Sequence, residues 1–147
     1  MIKKVFIDTD IILDVALARE PFFSASKIIL AMAENNIIIG TVSSNCVANI
    51  YYILRKVGGD SKARKFISHI VKYITVITIN HQNILDALKS KFVDFEDALQ
   101  HYSAAENRCE YIITRNTEDY KTSKINVLLP EEFVRMFGIT ARLTSFP

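Results

Sequence analysis

The stretch KKVFIDTDIILDVAL, residues 3–17, decides how the rest of the chain is read. Residues 4–7 form a short β-branched and aromatic run, and Ile11, Ile12, Val15 and Ala18 then recur at helical spacing, so a strand passes directly into a helix. Three carboxylates, Asp8, Asp10 and Asp14, sit at or just beyond that junction. One acid is enough to cap a helix, and the helix dipole favours acids in the first turn, so each taken singly has a structural explanation. The surplus raises a chemical question: whether these acids hold a cation or only punctuate the fold.

The same alternation continues along the chain. Pro21 suits the first turn of a helix in which Phe22, Ala25, Ile28, Ile29, Met32 and Ala33 recur, closed by Asn35 and Asn36. IIIGTV (residues 37–42) reads as a buried strand, Ser43 or Ser44 as the cap of a helix over 45–56 that stops at Gly58 and Gly59, and 62–73 as another helix, with Asp60 in the turn or as its cap. A strand over 75–79 follows, then a helix capped by Asn80 and a helix over 94–108 that carries Phe95, Ala98, Leu99, Tyr102 and Ala105 on one face. Strands at 111–114 and 126–128 and a helix from Pro130 to Gly138 complete a single domain over residues 1–138, leaving 139–147 as a surface-bound or frayed tail. Short apolar strands separated by helices predict an α/β fold, with a parallel sheet covered on both faces. In such sheets the active site lies beyond the carboxyl ends of the strands, where the strand order reverses.

Bulk properties narrow the class. The 147 residues are half hydrophobic and 23% charged, the balance of an ordinary globular domain with a core of its own. Cys46 and Cys109 lie far apart in apolar surroundings and read as buried thiols of a reducing compartment, which places the protein in the cytoplasm. There is no signal-peptide pattern and no run of about 18 apolar residues, so neither export nor a membrane is expected. A net charge of +2 does not by itself indicate a polyanionic partner.

The polar residues at the predicted strand ends are Asp8, Ser43, Ser44, Arg115, Asn116 and Asp119, with Asp94, Glu96 and Asp97 opening the helix before the fourth strand. Helical spacing lets Asp94, Asp97 and His101 share a face while Phe95, Ala98 and Leu99 point inward. Carboxylates converging from remote segments repel one another unless a hard cation such as Mg²⁺ or Mn²⁺ lies between them. The histidines His69, His81 and His101 have no mutual ligand spacing and read as ordinary surface or core residues. Arg55, Lys56, Lys62, Arg64 and Lys65 bracket the glycine turn, either as a grip on a phosphate backbone or as solvated surface.

Taken in order, FIDTDIILDVAL, TVSSNCVANIYYILRK and FVDFEDALQHYSAAENRCEYIITRNTEDY resemble the PIN domain family, small nucleases that include VapC-like toxins. The resemblance spans nearly the whole chain. It implies a three-layer α/β/α fold with a central, mainly parallel five-stranded sheet and an acidic pocket that binds one or two Mg²⁺ or Mn²⁺ ions. It implies a metal-dependent endoribonuclease acting on single-stranded or loop RNA, as the toxin of a type II toxin–antitoxin pair. The first family acid falls on Asp8 and the acid of the DA pair on Asp97, both implied metal ligands. The second, usually Glu, falls on Asn49, and the fourth on Asn116, with Asp119 one turn further on. An amide brings no charge, so these two departures weaken metal binding unless Asp10, Asp94, Glu96, Asp119 or the RNA phosphate compensates.

The implied chemistry is metal-assisted phosphodiester hydrolysis, with Asn49, Asn116 and Asp119 orienting water, metal or phosphate. Thr114 and Ser43 or Ser44 would be supporting donors, and Arg55, Lys56, Lys62, Arg64 and Lys65 would grip the RNA. An antitoxin and a second toxin copy, forming a homodimer, are the implied partners. One rival is a PIN-like module, impaired at Asn49 and Asn116, that binds RNA or protein without cleaving. Another is a haloacid-dehalogenase-like phosphatase with Asp8 and Asp10 as its DxD pair, opposed by Ile12 and by the lack of a later Asp-Asp pair.

Overall fold

The structure is a computed structural model that describes residues 1–137. Five strands form one sheet: β1 (Lys3–Ile7), β2 (Ile38–Ser43), β3 (Ile74–Ile77), β4 (Tyr111–Ile113) and β5 (Asn126–Leu128). Their order is β3-β2-β1-β4-β5, and every neighbouring pair is parallel. Between them run α1 (Thr9–Ala16), α2 (Phe23–Glu34), α3 (Ser44–Gly58), α4 (Asp60–Ile70), α5 (His81–Lys89) and α6 (Phe95–Glu106), and α7 (Pro130–Met136) follows β5. The predicted α/β class with a five-stranded parallel sheet is what the molecule has.

The order of the strands locates the site. From β1 the chain steps outward to β2 and β3, then returns across the sheet to β4 and β5. Because such crossovers are right-handed, the outward and return connections cover opposite faces. The direction reverses between β1 and β4, where the carboxyl ends carry Asp8 and Thr114. The two ends are tied together: Asp8 N–H donates to the Ile113 carbonyl at 3.0 Å and Thr114 N–H to the Leu128 carbonyl at 3.1 Å.

Burial explains why β1 is central. Val5, Phe6 and Ile7 are fully buried, and Ile11, Ile12, Ile29, Met32, Ile50 and Ile112 surround them. Both cysteines are free and buried, and the Cys109 sulfur lies 3.4 Å from the Thr41 hydroxyl. Gly40 permits close seating of its neighbours, since a Cβ there would lie 2.7 Å from Ile74 Cδ1 and 3.0 Å from Ala33 Cβ. Among the described residues no helix is long and apolar enough to cross a membrane.

Several boundaries and one helix face differ from expectation. Pro21 precedes α2 in a turn, after a cis Glu20–Pro21 bond, and the helix starts at Phe23. α1 ends at Ala16 and leaves Ala18 at φ 48°, α4 runs over Asp60–Ile70 rather than 62–73, and β3 begins at Ile74 and stops at Ile77. On α6 the buried residues are Ala98, Gln100, His101, Ser103 and Ala104, while Phe95 and Ala105 are exposed. Spacing identifies which residues share a face but not which face turns inward, and the large Phe95 sits in the first turn, at the rim. The expected end of α7 at Gly138 and the tail at 139–147 lie outside the described residues, and α7 is described to Met136.

Candidate active site

The junction that opened the sequence reading builds the floor of a hollow of about 360 Å³. Asp8 is the N-cap of α1: its Oδ1 accepts from Thr9 N–H at 2.7 Å, and its Oδ2 accepts from the Thr114 hydroxyl at 2.8 Å. Each carboxylate oxygen is held by one donor. Thr114 is fully buried, and its own Oγ1 accepts from Asn116 N–H at 3.1 Å, so one threonine fixes both the acid on β1 and the loop after β4.

The walls come from distant segments. α1 contributes Thr9, Asp10 and Leu13, α3 contributes Asn49, Tyr52 and Ile53, and the start of α6 contributes Asp94, Glu96, Asp97 and Gln100. Asn116 and Asp119, from the loop and short 3-10 helix after β4, close the other side. Asp94 caps α6 by accepting from Asp97 N–H at 3.0 Å. Asn49 Nδ2 donates to Glu96 Oε1 at 2.7 Å, joining α3 to α6 across the hollow.

Burial and crowding set the protonation of the two central acids. Burial raises Asp8 to about 6, against the pull of its bonds from Thr114 and Thr9 and with a push from Asp10 and Glu96. Asp97 is raised to about 7 by burial and by the charges of Asp8, Asp94 and Asp119. Among the described residues neither acid has a basic side chain within 4 Å; the ion pairs involve Asp10, Asp14, Asp60 and Glu110 instead. Nor do any three His, Cys, Asp or Glu groups converge tightly enough to ligate one ion on their own. Two unneutralised carboxylates with room beside them suit a hard dication that keeps much of its water, as Mg²⁺ does.

Other sequence candidates stand elsewhere. The Ser43 hydroxyl caps α3 by accepting from Cys46 N–H at 3.1 Å, Ser44 is exposed, and neither lines the hollow. His101 does not join Asp94 and Asp97: it is buried against Phe92 and Tyr102, with Nδ1 3.0 Å from the Ser123 hydroxyl, and burial lowers its pKa. Asp14 is fully buried but turned to structure, with Arg115 Nε at 3.1 Å, Arg19 at 3.8 Å and the Ser26 hydroxyl at 3.5 Å. Arg115 also lies over the Phe22 ring at 4.0 Å. Arg55, Lys56, Lys62, Arg64 and Lys65 are all exposed and none lines the hollow; Arg64 pairs with Asp60 at 2.9 Å, and Lys56 Nζ lies 4.4 Å over the ring of Tyr52, which does line it.

Several residues of the site escaped the sequence reading: Thr9, Leu13, Tyr52, Ile53 and Gln100 line the hollow, and Tyr120 bonds to Gln100 beside it. The Tyr120 hydroxyl donates to Gln100 Oε1 at 2.6 Å and lies 3.3 Å from Asp97 Oδ1. Burial and the charges of Asp8 and Asp97 push its pKa far up, so it stays a neutral donor. The available signal was its position immediately after Asp119, where a tyrosine among polar residues has an apolar ring to bury.

A sequence description of the PIN domain family matches residues 4–118. The chain belongs to the PIN domain family. The matched span includes Asp8, Asn49, Asp97, Asn116 and Thr114. This PIN domain is similar to Ribonuclease VapC1 of Aquifex aeolicus (strain VF5), at 28% identity over 138 residues that cover 89% of this chain and 93% of the relative. Among solved structures it resembles a toxin-antitoxin complex from Klebsiella pneumoniae at TM-score 0.65 and 20% identity, over 86% of this chain and 97% of that one. It also resembles VapC20 of Mycobacterium tuberculosis, a sarcin-ricin-loop-cleaving toxin, at TM-score 0.59 and 13% identity, over 74% of this chain and 86% of that one.

Proposed function

We propose that this PIN domain is an Mg²⁺- or Mn²⁺-dependent endoribonuclease that hydrolyses phosphodiester bonds of single-stranded or loop RNA, as the toxin of a type II toxin–antitoxin pair. The observation that carries this reading is the pair Asp8 and Asp97, drawn from the end of β1 and the first turn of α6 into one hollow and left without a basic partner among the described residues. The similarity to Ribonuclease VapC1 supports the reaction class, and the toxin names of the structural relatives support the biological setting. The DxD phosphatase reading has no such support, and Asp10 is engaged by Arg19 and Arg115, each at 3.7 Å.

Asp8 and Asp97 would hold the cation. When bound, it supplies charge neutralisation and Lewis acidity for attack of water on the phosphodiester. The protein's share is orientation. Thr9 and Thr114 fix the Asp8 carboxylate in one plane, and the neutral Tyr120 hydroxyl, bonded to Gln100, stands 3.3 Å from Asp97 Oδ1. Asn116 and Asp119 face the same space and would orient water or the phosphate. Lys56 on Tyr52 begins a basic edge, continued by Arg55, Lys62, Arg64 and Lys65, that would grip the RNA backbone. An antitoxin covering the hollow and a second toxin copy complete the proposed assembly in the cytoplasm.

The amides at Asn49 and Asn116 favour a second reading, a module that captures RNA or a partner without cutting. One experiment separates the two: cleavage of a single-stranded RNA pool with Mn²⁺ or Mg²⁺ by wild type, Asp8→Asn and Asp97→Asn. The nuclease reading expects metal-dependent cleavage that both substitutions abolish. Cleavage undiminished in the variants would overturn the site, and RNA retention without cleavage would favour the second reading.

A further inference from the structure

Asn49 carries no charge, yet it stands on the wall of a hollow whose work, on the proposed reading, is to hold a cation. Its amide is engaged with the only Glu on that wall, donating to Glu96 Oε1 at 2.7 Å. Among the described residues Glu96 Oε2 has no hydrogen-bond partner, and Glu96 makes no ion pair. A carboxylate tethered by one oxygen keeps the lone pairs of the other available to a ligand and its charge unpaired by any basic side chain among the described residues. We infer that Asn49 positions Glu96 as the third acid of the cation site, so that the charge missing from α3 is supplied by α6.

Three features support this. Glu96 immediately precedes Asp97 in the first turn of α6, so both acids are delivered by one rigid element capped by Asp94. It also lines the same hollow as Asp8, the buried acid at the end of β1. An amide is also the right tether. A carboxylate at position 49 would repel Glu96, whereas the Nδ2 hydrogen bond fixes its direction without cancelling its charge. Because among the described residues no three acids converge tightly enough to ligate directly, Glu96 acts on the hydrated ion through water that the ion retains. Asn49 is thus a positioning residue, and Glu96 the group it positions.

The inference rests on the proposed metal site, and the test keeps the two apart. Mn²⁺ alone is titrated by calorimetry into the full-length protein near neutral pH, with thermal melts of each variant as a check on folding. Asp97→Asn is expected to abolish binding. Glu96→Gln keeps an oxygen to accept from Asn49 and removes only the charge, and is expected to weaken Mn²⁺ by roughly 10–100-fold, the range for groups that act around a metal site. Asn49→Ala is expected to weaken Mn²⁺ several-fold in wild type and to have no further effect in the Glu96→Gln background, where no charge is left to position. A merely structural clasp would cost the same in both backgrounds, which would overturn the role of Asn49. Wild-type affinity in Glu96→Gln with binding lost in Asp97→Asn overturns the inference and leaves the site standing. No Mn²⁺ binding by wild type overturns both.

Discussion

At the scale of single residues, the three acids of the first junction have been given three different tasks by their neighbours. Asp8 is held by two donors and faces the hollow; Asp10 lines its edge between Arg19 and Arg115; Asp14 is fully buried and paired away from it. Sequence spacing alone could not separate them, because Asp10 and Asp14 are one helical turn apart and the residues that claim Asp14 come from the α1–α2 connection and from the loop after β4. The cost of the buried pair is testable. Removing one partner of a buried ion pair strands the other charge, at about 3–5 kcal/mol. Arg115 is partly exposed and Arg19 stays 3.8 Å from Asp14, so Arg115→Ala is expected near the lower end of that range. Adding Asp14→Asn to that variant is expected to recover part of the loss, since the stranded charge disappears. Urea denaturation of the three proteins measures both effects, and an Arg115→Ala variant as stable as wild type would show that the pair carries no weight.

At the scale of elements, β1, β2 and the caps of α3 and α5 were legible because local chemistry and tertiary position agree. The β-branched run at residues 4–7 is central in the sheet, Ser43 caps α3, Asn80 caps α5, and Gly59 with φ 90° separates α3 from α4. α6 was harder to read. Its inward face is made of Ala98, Gln100, His101, Ser103 and Ala104, small or polar side chains, with Ser103 donating to the Gln100 carbonyl, Gln100 accepting from Tyr120 and His101 meeting Ser123, and hydropathy does not announce such a face. The Asn49–Glu96 contact was hidden for a related reason, since it joins residues 47 positions apart and depends on how α3 and α6 lean together. Gly40 shows the tolerance of the packed layer. Its missing side chain leaves Ile74 Cδ1, Ala33 Cβ and Ile7 Cδ1 within 2.7–3.1 Å of where a Cβ would stand. Gly40→Val forces all three apart and is expected to destabilise by about 1–3 kcal/mol, the usual cost of overpacking. A denaturation midpoint unchanged from wild type would mean that β2 shifts freely, contrary to its pairing with strands on both sides.

At the scale of the whole molecule, the fold makes a site that works against its own stability. Strand order brings the β1 and β4 ends together, the first turn of α6 adds Asp97, and the resulting carboxylates, Asp8 buried and Asp97 partly so, are crowded. Asp8 at about 6 and Asp97 at about 7 lie above the value near 4 that an unfolded chain gives them. Between those limits the metal-free folded state binds more protons than the unfolded state, so these two groups stabilise fully below about pH 4 and lose that contribution as pH rises through 6 and 7. For Asp8 alone the swing is on the order of 3 kcal/mol at 1.36 kcal/mol per unit, and Asp97, half exposed, adds a smaller, solvent-screened share. A cation reverses the slope because it binds only the ionised acids, so its stabilisation grows through the same interval. With chelator present, the stability of wild type relative to Asp8→Asn/Asp97→Asn is therefore expected to fall between about pH 4 and pH 8. With excess Mn²⁺ the expected trend is the opposite, a stabilisation of wild type that is small near pH 5, large near pH 8 and missing from the double variant. Urea titrations across that range, with and without Mn²⁺, read both slopes. A difference that stays flat with pH in chelator would mean that the acids are not held above their ordinary range. Equal Mn²⁺ stabilisation near pH 5 and pH 8 would mean that the ion binds somewhere other than at these two carboxylates.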